Sequence, residues 1–227
     1  MFQEYELEET KIFDVSIFQL KDKWKFSEDS IFLAKFVAEI ENKIDSEDKK
    51  KLLEIGSGCG IITILLSRWL KGEKFLVSVE IDKKMALVSG LNYKNNNVEA
   101  HIICGDIKQI NFKQKFNIVV SNPPYLPKGE GKISKKSDIA KWEIHLDLKT
   151  LAKISSNILE KGGRVYVVYP SFRLGEVLSN FYKVGLKPVF LKFFHHSPLS
   201  KSDFFALMCQ KDVKHKTEVL PPFFKIE

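Results

Sequence analysis

This sequence predicts an α/β fold, a doubly wound and mostly parallel seven-stranded sheet whose last strand is antiparallel. Three observations carry that expectation. Beyond about residue 50, short apolar runs alternate with amphipathic segments, the pattern of strands joined by crossover helices. Three alternate glycines, Gly56, Gly58 and Gly60, stand where the first apolar run meets the first amphipathic segment. The final two apolar runs, Leu186–Phe194 and Asp203–Gln210, have no helix between them. They can only be an antiparallel pair, because a parallel crossover needs about a dozen residues.

The elements follow in order. Lys11 to Phe26 alternates apolar and polar residues and reads as a β-hairpin or extended segment. Ser27-Glu28-Asp29 can cap a helix carrying Ile31, Phe32, Ala34, Phe36, Val37 and Ile40. The charged stretch Glu41 to Lys51 reads as a solvated link. Lys51–Ile55 is a strand and Ile61–Leu70 a helix; Phe75–Ile81 is a strand and Lys83–Asn95 a helix. Ala100–Cys104 and Phe116–Ser121 are strands. A long helix is expected over Asp138–Leu159, ended by Lys161-Gly162-Gly163 with a glycine supplying the left-handed cap. Arg164–Tyr169 then forms a strand and Phe172–Lys183 a helix, before the antiparallel pair. There are no internal repeats.

A chain of 227 residues, 44% hydrophobic and 29% charged, suits one compact domain with a real core. No apolar run reaches the ~18 residues of a membrane span, and the acidic segment Gln3 to Glu9 is unlike a signal peptide. Cys59, Cys104 and Cys209 are odd in number and sit in apolar runs, so buried free thiols in a reducing cytoplasm are expected. The net charge of +7 permits an anionic partner such as RNA. It does not require one. Nearly all the basic residues are Lys, with Arg68, Arg164 and Arg173 the exceptions.

Chemistry concentrates at the expected strand ends. In Glu54-Ile55-Gly56-Ser57-Gly58-Cys59-Gly60, the glycines let the backbone approach a ligand and turn onto a helix N-terminus. A pyrophosphate fingerprint would read GxGxxG; here it is GxGxG with an acid before it. A carboxylate at Glu54 would repel pyrophosphate but suits the ammonium of a methionine moiety. Glu80, with Ile81 beside it, closes the second strand, where an acid can take both hydroxyls of a ribose. Asp106 can accept from an adenine amino group while Ile107 packs on the ring. After the strand Phe116–Ser121 comes Asn122-Pro123-Pro124-Tyr125. Two prolines, each without an N–H and with fixed φ, stop the strand. They leave a stiff turn with an amide and an aromatic ring, the groups needed to grip a planar, amino-bearing substrate.

Together these residues resemble those of class I S-adenosylmethionine-dependent methyltransferases, which are Rossmann-like, over about Phe26 to Gln210. The Asn-Pro-Pro-Tyr turn resembles the fourth motif of amino-group methyltransferases. The resemblance implies that Asn122 and the Pro123 carbonyl accept hydrogen bonds from the target amine, held by the turn that Pro124 stiffens, while Tyr125 stacks on the planar group. It implies S-adenosylmethionine as cofactor, held by Glu54, Gly56, Gly58, Gly60, Glu80, Ile81, Asp106, Ile107 and Asn122, and no metal. Lys25-Phe26-Ser27-Glu28-Asp29-Ser30-Ile31-Phe32-Leu33-Ala34 resembles the family that modifies the adenine next to the anticodon of a valine tRNA. So does Ile139-Ala140-Lys141-Trp142-Glu143-Ile144-His145, with Lys141 and Trp142 in place of the usual Arg and His. Release-factor glutamine methyltransferases share Asn-Pro-Pro-Tyr but carry a sizeable helical N-terminal domain, whereas about 50 residues, beginning extended, precede the core here.

The expectation is therefore methylation of adenine N6 in RNA, a tRNA near its anticodon, by a cytoplasmic enzyme with no membrane partner; the sequence leans towards a monomer but does not fix the oligomeric state. The alternative is glutamine N5 in a protein such as a release factor. Residues 1–45 would form an extension covering the cofactor site, 46–212 the methyltransferase core and 213–227 a tail. Lys128 to Lys136 is either a mobile flap touching phosphates or a solvated loop. His195-His196-Ser197-Pro198 lacks a Cys or carboxylate at metal-ligand spacing; with Lys201 its loop is expected near the substrate edge. Phe193, Phe194, Phe204 and Phe205 read as core. No nucleophile elbow is present, which disfavours hydrolysis.

Overall fold

In the computed structural model of the protein, residues 6–23, 25–44, 49–124, 146–214 and 216–225 are described. A β-hairpin comes first, β1 Leu7–Ile12 and β2 Val15–Leu20, followed by α1 Glu28–Glu41. Then come β3 Lys50–Ile55, α2 Ile61–Trp69, β4 Lys74–Glu80, α3 Lys83–Asn95, β5 His101–Cys104 and β6 Phe116–Ser121. The second half holds α4 Leu148–Ile158, β7 Leu159–Pro170, α5 Leu174–Lys183, β8 Leu186–His195 and β9 Ser202–Lys211. Two short strands, β10 Glu218–Val219 and β11 Phe223–Phe224, close the chain.

The main sheet has the order β10-β8-β9-β7-β6-β3-β4-β5, with β11 also on β8. Strands β5, β4, β3, β6 and β7 are parallel to one another, while β9 runs antiparallel between β7 and β8. All seven expected strands are present, and β10 and β11 add to their edge. Burial on both faces explains why the strands read as continuous apolar runs. Leu52, Leu76, Ile118, Val120, Tyr166 and Val168 join the core under α1, α2 and α3. Their neighbours Leu53, Val77, Val119, Val165 and Val167 join the opposite core under α4 and α5. Phe194 and Phe205 are fully buried, and Phe193 and Phe204 pack against the two cores.

Several expectations are corrected. The stretch beginning at Glu41 is not wholly solvated. Glu41 is 1% exposed and accepts from Arg164 Nε at 2.5 Å, Arg164 Nη2 at 2.9 Å and the Tyr166 hydroxyl at 2.5 Å. Three charge-assisted donors satisfy an acid that local sequence made look like a surface residue. Lys50, in the same stretch, is a buried strand residue. The long helix starts at Leu148, because Asp147 is an extended N-cap whose side chain accepts from Thr150 N; its expected start at Asp138 lies outside the described residues. It stops at Ile158, not at the glycines. Leu159 pairs with Phe116, so β7 captures the chain early, and Gly162 takes its φ of 76° inside the irregular start of that strand. Ser27 holds the N-cap position of α1, but its hydroxyl donates to Asp29 rather than capping the helix. Cys59 and Cys209 are buried, whereas Cys104 is exposed where β5 ends at the edge of the sheet.

The hairpin docks on α3 through two amide side chains. Asn92 accepts from Phe18 N at 2.8 Å and donates to Phe18 O at 2.9 Å. One helical turn later, Asn96 accepts from Ser16 N at 3.1 Å and donates to Ser16 O at 2.8 Å. Four helical residues rise about 6 Å and two strand residues about 6.6 Å. That near match lets a helix satisfy alternate backbone positions of a strand.

Candidate active site at the C-terminal strand edge

Parallel pairing of β6, β3, β4 and β5 brings Ser121, Ile55, Glu80 and Cys104 to one edge. The predicted Gly-rich loop, Glu80, Asp106 and Asn122 therefore emerge side by side, where open α/β sheets bind ligands. Gly60 ends the loop with φ 85°, and a Cβ there would lie 2.6 Å from the Tyr93 ring. Both conformation and space demand glycine. Gly56 has φ 77°, yet a Cβ would meet nothing within 4 Å. Its constraint is backbone conformation alone, and the space above it is open to a ligand. Second-strand contacts hold the loop still: Gly56 N and Ser57 N both donate to Val79 O. Ser89 Oγ donates to Gly58 O, and Asn92 Nδ2 donates to Cys59 O. Burial pushes the Cys59 thiol up to about 12, so it is no nucleophile.

Glu80 links two loops. Its Oε2 accepts from Gly58 N at 2.8 Å and its Oε1 from Asp82 N at 2.9 Å. Burial raises its pKa against those N–H donors. A carboxylate has about four lone-pair sites, so two bonds leave room for further donors. Asp82 caps α3, accepting from Lys84 N and Met85 N, and is bound by Lys23 Nζ at 2.6 Å. Thus the segment after the hairpin reaches the same edge. Asp106 accepts from Lys108 N and caps a 3-10 turn over Ile107–Gln109. Ile107 is 7% exposed and packs in the core with α4 and α5, while Ile81 is 42% exposed at the edge.

Glu54 is 1% exposed. Its Oε2 accepts from Thr63 N at 3.1 Å and from the Thr63 hydroxyl. Its Oε1 is buried with no hydrogen-bond partner among the described residues. Burial pushes the carboxyl from 4.5 up to about 8, against the pull of Thr63 and with the help of Glu80. Such an acid keeps a proton in the folded state that the unfolded chain releases above its ordinary pKa. Stability is therefore lost as pH rises from about 4.5 to about 8 and levels off beyond. Glu54→Gln removes this titration. The variant is expected to lie close to wild type at pH 5 and to exceed it by a few kcal/mol at pH 8.5, measured by urea unfolding at both. A gap that does not grow with pH would show that Glu54 is not a buried acid.

At the end of β6, Ser121 Oγ donates to Ile55 O at 2.8 Å, fixing the backbone ahead of the turn. Asn122 is half-buried and its Nδ2 donates to Ser30 Oγ at 2.9 Å. Pro123 is buried and Pro124 half-buried. Tyr125, Lys128 to Lys136, and Ile139 to His145 lie outside the described residues. At the same edge, the β8–β9 loop is ordered by His195 Nδ1 against Ser200 O at 2.8 Å, and His196 lies 3.5 Å from Asp203. Among the described residues no group of three or more His, Cys, Asp or Glu is placed to hold a metal ion, and no helix is long and apolar enough to cross a membrane. Sequence reasoning missed Thr63 and Lys23 at this edge. The first had a signal, a Thr in the opening turn of the helix that follows an acid-bearing strand.

The chain is similar to known proteins. Residues 34–184 match the family model of the methyltransferase small domain. A candidate protein N5-glutamine methyltransferase of Methanocaldococcus jannaschii is 36% identical over 104 residues, 46% of this chain and 48% of that protein. The tRNA1(Val) (adenine(37)-N6)-methyltransferase of Pasteurella multocida is 28% identical over 141 residues, 59% of this chain and 58% of that protein. The chain thus spans about half the length of the curated relatives it matches. Among solved structures, the 16S rRNA N2 G1207 methyltransferase of T. thermophilus, in complex with AdoMet and guanosine, superposes with a TM-score of 0.64 at 17% identity. That match covers 91% of this chain and 50% of the other, and supports the fold.

Proposed function

Since the chain belongs to the methyltransferase small domain family, of the class I S-adenosylmethionine-dependent kind, we propose that it methylates the N6 amino group of an adenine in RNA. The RNA we favour is a tRNA near its anticodon, after relatives such as the P. multocida enzyme. The observation that carries the reading is the Asn122 amide, held by its nitrogen on Ser30 at the end of β6. Its oxygen is the acceptor end, which suits a substrate amine.

The residues present fit the cofactor. Glu54 Oε1 is a buried oxygen with no hydrogen-bond partner among the described residues, able to accept from an ammonium once the carboxyl gives up its proton. The open space over Gly56 admits a ligand, and Glu80 keeps acceptor capacity after bracing two loops. Glu54 would take the methionine ammonium and Glu80 the ribose hydroxyls, with Gly58 and Gly60 shaping the loop. Asp106 would accept from the adenine amino group, with Ile81 and Ile107 on its apolar side. When bound, the cofactor supplies an electrophilic methyl group on a sulfonium. The protein's part is positioning and electrostatics. An exocyclic adenine nitrogen is a poor nucleophile because its lone pair is delocalised into the ring. Asn122 Oδ1 and the Pro123 carbonyl, both accepting its hydrogens, favour pyramidalisation and free that lone pair. Tyr125 would stack on the base. A loop nucleotide swings into such a site for a few kcal/mol. Cys59 and Cys209, free and buried, suit a reducing cytoplasm.

A second reading, transfer to glutamine N5 in a protein, is favoured by the M. jannaschii relative. One experiment separates them. Wild-type protein with labelled cofactor is offered unmodified tRNA or a release factor, and products are digested for mass spectrometry. Labelled N6-methyladenosine from tRNA is the expected result; label only in the release factor would replace the RNA reading.

A further inference from the structure

We propose that Ser30 is the positioning residue that sets the Asn122 amide for reaction; this rests on the reading that Asn122 receives the substrate's NH2 group. A carboxamide has a donor end and an acceptor end, and only the oxygen can accept from an amine. Turning the amide over would set donor against donor. The Ser30 hydroxyl can serve either way, and here it accepts from Asn122 Nδ2 at 2.9 Å. That polarity leaves the oxygen for the substrate.

Ser30 is itself held. It is 6% exposed, and its N–H donates to Asp29 Oδ1 at 2.7 Å and to Ser27 O at 3.1 Å. Asp29, 4% exposed, also accepts from the Ser27 hydroxyl at 2.5 Å. Just before that turn, Phe26 N donates at 3.0 Å to Gln19 Oε1 on β2. A chain of hydrogen bonds thus runs from the hairpin through the first turn of α1 to a side chain 92 residues further on. The β6 backbone is fixed from the other side by Ser121 on Ile55. The N-terminal segment is therefore part of the reacting assembly.

The test uses Ser30→Ala and Ser30→Thr in the full chain, with cofactor affinity by calorimetry and methyl transfer by label incorporation. Ser30→Ala is expected to lower kcat about tenfold, the scale of one lost hydrogen bond, with cofactor Kd and substrate KM within about twofold of wild type. Ser30→Thr restores the hydroxyl and should recover most of the rate. In an Asn122→Asp background, whose carboxylate offers an acceptor at either end, Ser30→Ala should cost nothing more, so the two losses do not multiply. Unchanged kcat in Ser30→Ala, no recovery with Thr, or multiplying losses would each overturn the proposal. The assay runs on whichever of tRNA or release factor wild type methylates. Failure on RNA by wild type therefore counts against the adenine reading, and a Ser30-independent kcat counts against this one.

Discussion

Asn122→Ala should bind S-adenosylmethionine with nearly wild-type affinity while methyl transfer falls by ~10²-fold or more, the scale of losing one preorganised polar contact to a reacting group. The separation follows from geometry. The hydrogen bond described for the Asn122 side chain goes to Ser30, and the Gly56–Gly60 loop is braced from β4 and α3 instead. Titration calorimetry gives the first quantity and label incorporation under saturating cofactor the second. Normal turnover would end the assignment of Asn122 as acceptor for the amine. A loss of cofactor affinity as large as the loss of rate would move Asn122 into the cofactor site.

Glu80→Ala should act the other way, raising the cofactor Kd by ~10²-fold or more. Two effects combine. The cofactor loses its expected ribose acceptor, and Gly58 N and Asp82 N lose theirs. A buried donor left unsatisfied costs about 1–3 kcal/mol, so the variant should also melt earlier without cofactor. Glu80→Gln keeps one carbonyl oxygen and should fall between the two. Calorimetry and thermal unfolding on the three proteins check the order. Unchanged cofactor binding in Glu80→Ala would remove Glu80 from the site.

The sheet was legible because its strands are buried on both faces, which shows in one dimension as apolar runs such as Phe116–Ser121. The loop glycines and Glu80 were legible for a related reason: a strand end followed by a helix is where backbone and acid must face a ligand. What escaped the sequence was long-range pairing. Glu41 looks like a surface acid until Arg164 and Tyr166, 123 and 125 residues away, close on it. The start of α4 depended on Asp147 taking the cap, and its end on Leu159 being claimed by β6. For Glu41 and for the end of α4, local propensity was overruled by a partner that no short window of sequence contains; the Asp147 cap on Thr150 N is instead a local signal that the expected helix start passed over.

The pairing of Asn92 and Asn96 with β2 bears on synthesis as well as on the finished fold. A two-stranded ribbon with an open side is a template for pairing with another chain. Here the amides that occupy that side arrive 74 and 80 residues after the strand positions they cover. At about 5–20 residues per second of translation, Ser16 and Phe18 precede their partners by roughly 4–16 s. Until α3 is made, the newborn hairpin lacks the amides that cover this side of β2 among the described residues.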